Sequence, residues 1–104
     1  MPFAEISELR DCLVKQLSPE RIYLFGSYAD GTFNEDSDFD FYIVMEDDGG
    51  DPIALMTRAY KAVRGVKKRP VDILVGTKSR FDARKEQPTL EGEVYRKGVL
   101  LYGA

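Results

Sequence analysis

The sequence has no histidine among its 104 residues. That excludes an imidazole general base, a Ser-His-Asp triad and a His-ligated zinc centre. Its one cysteine, Cys12, excludes an internal disulfide and a cysteine-rich zinc site. Cys12 falls on an expected helix and reads as a small core residue in a reducing cytoplasm. No apolar stretch approaches the length of a membrane span, and the opening Met1-Pro2-Phe3-Ala4-Glu5 is not a signal peptide. The expected location is therefore the cytoplasm, with no membrane partner. Basic residues are missing over a long stretch as well: Ile22 to Thr57 holds nine acids and neither Lys nor Arg.

What is present suits a folded domain. Hydrophobic residues make up 43% and charged residues 32%, a balance that argues against disorder and allows one modest core. The expectation is a single domain over residues 1–104. After the acidic stretch, Arg58 to Lys85 carries ten basic residues against Asp72 and Asp82. Such an asymmetry can be two solvated faces of opposite sign. It also suits an acidic metal centre facing a basic rim that receives phosphates or an acidic partner.

Apolar residues at Phe3, Ile6, Leu9, Leu13 and Leu17 predict an amphipathic helix over 3–17, stopped by Ser18-Pro19. Arg21–Phe25 reads as a buried strand that breaks at Gly26, with a brief helical turn over 27–31. Asp38–Met45 reads as a second strand. Asp51-Pro52 starts a helix lined by Ile53, Met56, Tyr60 and Val63 and ended by Gly65. A third strand covers 71–75, a polar helix 78–87, a last helix runs from Pro88-Thr89 to Lys97, and 99–102 forms a terminal strand or packed tail. This order predicts an α/β (α+β) fold, a small mixed sheet flanked by helices.

Within that frame three carboxylates stand out. Residues two apart on a strand share a face, so Asp38 and Asp40 project together while Phe39 and Phe41 turn to the core. Two carboxylates at about 4 Å repel by about 4 kcal/mol at an effective dielectric near 20. A hard cation removes that cost, and Mg²⁺ suits a few carboxylates together with substrate phosphates. Asp72 interrupts the apolar run Pro70-Val71-Asp72-Ile73-Leu74-Val75, where a carboxylate needs a partner or a metal. If the third strand lies beside the second, Asp72 completes the triad. Taken alone, Asp38 can cap a turn, Asp72 can sit at a strand end, and Gly26-Ser27 is ordinary turn chemistry. The conjunction of Gly-Ser, Asp-x-Asp after ten residues, and an aspartate in a later strand is far more specific. It points to a metal-dependent enzyme acting on a nucleoside triphosphate.

With Gly26-Ser27-Tyr28-Ala29-Asp30-Gly31, Asp38-Phe39-Asp40-Phe41 and Val71-Asp72-Ile73, the chain resembles the minimal nucleotidyltransferases of the DNA polymerase beta superfamily. The ending Val94–Tyr102 is similar to the way these small domains close, so the resemblance spans almost the whole chain. It implies the turn Gly26-Ser27 as the grip on the triphosphate, Asp38 and Asp40 as metal ligands, and Asp72 as the third carboxylate. In this family the third carboxylate binds metal and can take the proton of the attacking hydroxyl. The implied cofactor is Mg²⁺, two ions, with ATP or another nucleoside triphosphate as substrate. One position departs: relatives often carry Arg where this chain has Asp30. Small members are often the antitoxin of a two-gene system whose partner is a HEPN-domain toxin, and some transfer AMP to a toxin tyrosine.

The resemblance therefore implies a Mg²⁺-dependent transferase of AMP to a hydroxyl, such as a tyrosine of a HEPN-type toxin, acting as an antitoxin. The alternative is an antitoxin that neutralises its partner by binding alone. A phosphoacceptor receiver would place its acid pair after the first strand, whereas here the pair opens the second. Lys78, Arg80, Arg84 and Lys85 are candidates for the leaving pyrophosphate but read first as solvated charges. Tyr28 could stack on a base or simply pack its loop. Lys67-Lys68-Arg69 reads as a solvated cluster, and direct nucleic-acid binding is not expected. The oligomeric state is left open.

Overall fold

The computed structural model describes residues 2–103 and gives the order α1 (Phe3–Leu17), β1 (Arg21–Phe25), α2 (Ser27–Asp30), β2 (Phe39–Met45), α3 (Pro52–Val63), β3 (Val71–Thr77), α4 (Lys78–Arg84), α5 (Leu90–Lys97) and β4 (Val99–Tyr102). The strands form one sheet in the order β3-β2-β1-β4. β1 runs antiparallel to both β2 and β4, and β2 runs parallel to β3, so the sheet is mixed as expected. Among the described residues no helix is long and apolar enough to cross a membrane.

Helix starts follow local chemistry. Asp51 caps α3 by accepting from the Ala54 N–H, with Pro52 at the first position, while Thr77 and Thr89 cap α4 and α5 through their hydroxyls. α1 stops at Ser18, which takes a left-handed conformation (φ 48°) before Pro19. The sheet is covered on both faces because its strands alternate. One core gathers Ile22, Leu24, Phe39, Phe41, Ile43 and Ile73 under α1 and α3. The other gathers Tyr23, Tyr42, Val44, Phe81 and Val94 under α4 and α5.

Several details differ from the sequence expectation, and β2 starts at Phe39 rather than Asp38. β3 continues to Thr77, and α4 ends at Arg84 rather than 87. The buried stripe of α3 is Leu55, Ala59 and Val63, whereas Ile53 is 73% exposed. Two apolar stripes on α3 satisfy helical spacing, and only packing against α1 and the sheet selects one. Phe3 is also exposed, and the buried stripe of α1 begins at Ile6.

Candidate active site

The register of the sheet builds the site. Asp40 pairs with Phe25 on one side and with Asp72 on the other. The end of β1, the start of β2 and the start of β3 therefore lie in one row across three strands. Gly26 follows Phe25 directly, and Asp38 lies one pleat before Asp40, just outside β2. All five residues singled out in the sequence thus meet at one edge of the sheet.

Gly26 makes the row possible. It adopts φ +74°, a backbone region that suits glycine, and a Cβ there would overlap Oδ2 of Asp40. The Asp40 carboxylate thus leans against the turn itself. α2 begins at Ser27. The Ala29 and Asp30 N–H groups donate to the Gly26 carbonyl, and Gly31 and Thr32 donate to the Ser27 carbonyl, each at 3.1 Å. No side chain caps the amino end of this turn, which leaves the amides of Ser27 and Tyr28 for an outside acceptor.

Asp38 and Asp40 are half-buried and Asp72 is exposed. Burial, reinforced by the charges of Asp72 and Asp38, raises the Asp40 carboxyl from its ordinary 3.8 to about 6. The three oxygen-donor side chains are the ones that could hold a divalent cation. Among the described residues no three metal-ligating side chains are already drawn into a closed cluster.

The surroundings are held by contacts over long sequence distances. Arg69 donates to both oxygens of Glu5 on α1 at 3.0 and 3.1 Å, donates to the Tyr28 hydroxyl, and stacks 4.6 Å from the centre of the Phe39 ring. Tyr28 is buried, stacked on Phe33 at 4.6 Å and tilted against Phe39 at 4.8 Å. It is a packed loop aromatic and not a free stacking platform. Tyr60 on α3 meets the open edge of β3: its hydroxyl accepts from the Ile73 N–H at 2.9 Å and donates to the Ile73 carbonyl at 3.5 Å. That holds the strand beside Asp72. Neither the role of Arg69 nor that of Tyr60 was visible in the sequence, because their partners lie 64 and 13 residues away.

Asp30 ends α2, and its carboxylate accepts from the Thr32 N–H at 3.0 Å and the Thr32 hydroxyl at 2.6 Å. These bonds hold it below the usual carboxylate range. Lys78, Arg80, Arg84 and Lys85 lie on or directly after α4, at the opposite end of β3 from Asp72. The structure does not bring them to the row of carboxylates.

A second polar cluster belongs to the packing of α5. Glu91 is buried, accepts from the Tyr42 hydroxyl at 2.9 Å and from Arg84 at 3.0 Å, and faces Arg80 at 3.6 Å. Burial, chiefly, together with the bond to Glu91, keeps the Tyr42 phenol protonated well beyond neutral pH.

Compared with known proteins, residues 6–95 match the model of the nucleotidyltransferase domain family. Among solved structures, a toxin–antitoxin with AMP-PNP is 27% identical, with a TM-score of 0.66 over 94% of this chain and 73% of its own. A toxin–antitoxin MntA-HpeT double mutant, two aspartates to glutamates, is 26% identical, with a TM-score of 0.64 over 94% of this chain and 73% of its own. A Sulfolobus solfataricus structure of nucleotidyltransferase type shares the fold at 20% identity, with a TM-score of 0.62 over 96% of this chain and 78% of its own. No curated protein sequence matches the chain.

Proposed function

We propose, from the premise that this chain belongs to the nucleotidyltransferase domain family, that it transfers AMP from ATP to a hydroxyl of a toxin partner and thereby acts as an antitoxin. The observation that carries the reading is the row Gly26–Asp40–Asp72, which sets the Gly26 turn against two carboxylates on adjacent strands. The likeness to a toxin–antitoxin with AMP-PNP supports both the nucleotide and the kind of partner. We assign the acceptor to a tyrosine of a HEPN-domain toxin, following the resemblance in the sequence.

The residues fit Mg²⁺. The donor set is oxygen only, and burial with neighbouring charge disfavours ionised Asp40, a cost that a cation would remove. Asp38, Asp40 and Asp72 would hold the metal, as two ions. Bound there, Mg²⁺ would offset charge on the triphosphate and at the attacking and leaving oxygens. The chain itself supplies position and proton transfer. Gly26 lets the backbone approach the phosphates, and the amides of Ser27 and Tyr28 with the Ser27 hydroxyl bind their oxygens. The acceptor oxygen attacks the α-phosphorus in line and its proton passes to the Asp72 carboxylate. The bond from the α-phosphorus to the bridging oxygen breaks, and pyrophosphate leaves.

Pyrophosphate release in the presence of ATP, Mg²⁺ and the partner tests this reading. Release that persists undiminished in Asp72→Asn would remove Asp72 from the mechanism. The second reading, an antitoxin that only binds, is favoured by Asp30, whose carboxylate puts a negative charge on the turn where relatives often carry Arg. A partner that co-purifies without turnover would select it.

A further inference from the structure

We propose, resting on the transfer reading, that the cavity between β3, α4 and the start of α5 anchors a large apolar side chain, aromatic by preference, from the same partner segment that carries the acceptor hydroxyl. In-line displacement sets the attacking oxygen opposite the leaving group. On this reading pyrophosphate leaves on the Gly26 turn, at the β1 end of the row. The acceptor then enters at the other end, beside Asp72 on β3, the outermost strand of the sheet. The segment that brings it rests on what lies next to Asp72.

The cavity lies there. It measures about 570 Å³ and is lined by Leu74 and Gly76 of β3, Pro52 of α3, Leu90 of α5 and Arg80 of α4. A volume of that order is typical of sites that bury a ligand. Leu74 and Gly76 follow Asp72 by two and four residues on one strand, so all three share a face. Leu74 packs with Tyr42 under α4 and α5, which identifies that face as the one of Asp40 and Asp72. At about 3.3 Å per residue, Leu74 stands about 7 Å from Asp72 and Gly76 about 13 Å. Those are the spacings of side chains two and four residues apart in an extended segment.

The chemistry of the cavity suits an apolar ring. Pro52, Leu74 and Leu90 give it apolar walls. Gly76 contributes only backbone, and a Cβ there would collide with the Tyr42 hydroxyl. The buried polar atoms beside it are committed to one another: Tyr42 donates to Glu91 at 2.9 Å, and Glu91 accepts from Arg84 at 3.0 Å. A base or a sugar finds few partners among them. Arg80 differs. Its side chain is 60% exposed and faces Glu91 at 3.6 Å, while Arg84 holds the same carboxylate more closely. One carboxylate facing two guanidiniums leaves positive charge over at the mouth of the cavity. A guanidinium set over an aromatic ring is attractive, and more so where water is excluded.

The test is steady-state transfer from ATP to the neighbouring gene's product with Mg²⁺, beside calorimetric binding of a non-hydrolysable ATP analogue. Leu90→Glu sets a carboxylate against Arg80 in place of an apolar wall. It and Arg80→Ala should each raise KM for the partner about tenfold and leave kcat and analogue affinity unchanged, as expected of an anchor remote from the reacting atoms. Arg80→Lys should recover little, since lysine lacks the planar stack. Lys61→Ala, on the exposed side of α3, should match wild type. Thermal unfolding verifies that each variant is folded, and should Leu90→Glu fold poorly, Leu90→Gln carries the same expectation. An unchanged KM in the folded variants overturns the assignment and leaves the carboxylate row standing. Weakened analogue binding with KM for the partner unchanged places the nucleotide in the cavity and overturns it as well. A wild-type chain that transfers nothing to the partner overturns both.

Discussion

The carboxylate of Asp40 fills the space that a side chain on Gly26 would need: a Cβ there would overlap its Oδ2 and stand 3.2 Å from its Cγ. The Gly26 turn and the Asp40 carboxylate therefore cannot be altered independently.

Gly26→Ala should consequently act on both. The new methyl group pushes Asp40 out of the row, and φ +74° strains any residue with a Cβ. Expected are a stability loss of about 1–3 kcal/mol by urea unfolding and a transfer rate reduced by about a hundredfold or more. Activity close to wild type would show that Asp40 need not lie against the turn.

The Asp40 carboxyl is displaced upward, from 3.8 to about 6, chiefly by burial. The sign follows from linkage. Between pH 3.8 and about 6 the unfolded chain loses this proton while the folded one keeps it, so stability falls with rising pH and the penalty is constant above that window. Asp40→Asn removes the penalty. Without metal, the variant should be more stable than wild type at pH 7 by about 1 kcal/mol, discounted for the half-exposed site, and should converge with it near pH 3.8. Adding Mg²⁺ should raise the melting temperature of wild type more than that of the variant. Parallel stability curves across the window would contradict this account.

Arg69 joins α1, the loop around Tyr28 and the start of β2 through Glu5, the Tyr28 hydroxyl and the Phe39 ring. Arg69→Ala should cost about 1.5–3 kcal/mol in chemical unfolding, as expected for lost bonds between charged groups. Arg69→Lys should recover little, since a lysine supplies neither the paired donors nor the planar stack. Full recovery by lysine would mean that charge alone matters there.

Much of this was legible in the sequence because the signals were local. The Asp51-Pro52 start, the break at Gly26 and the strand expected over Asp38–Met45 each depend on a few neighbouring residues, and the structure keeps all three, with the strand starting one residue later at Phe39. The pairing of Asp40 with Asp72 was conditional on β3 lying beside β2, and the parallel register supplies it. Long-range contacts were not legible. Arg69 looked like part of a basic cluster because Glu5 is 64 residues away. The face of α3 was misjudged because Ile53 and Leu55 offer competing apolar stripes, and tertiary packing buries only Leu55.

The central claim is transfer of a nucleotide to a partner by this row of carboxylates, and the most direct test is the intact mass of that partner. The neighbouring gene's product would be incubated with the chain, Mg²⁺ and ATP, and weighed alongside a reaction with Asp38→Asn. The account predicts a gain of one AMP that is absent with the variant. A partner that forms a complex yet keeps its mass would contradict transfer and leave an antitoxin that works by binding.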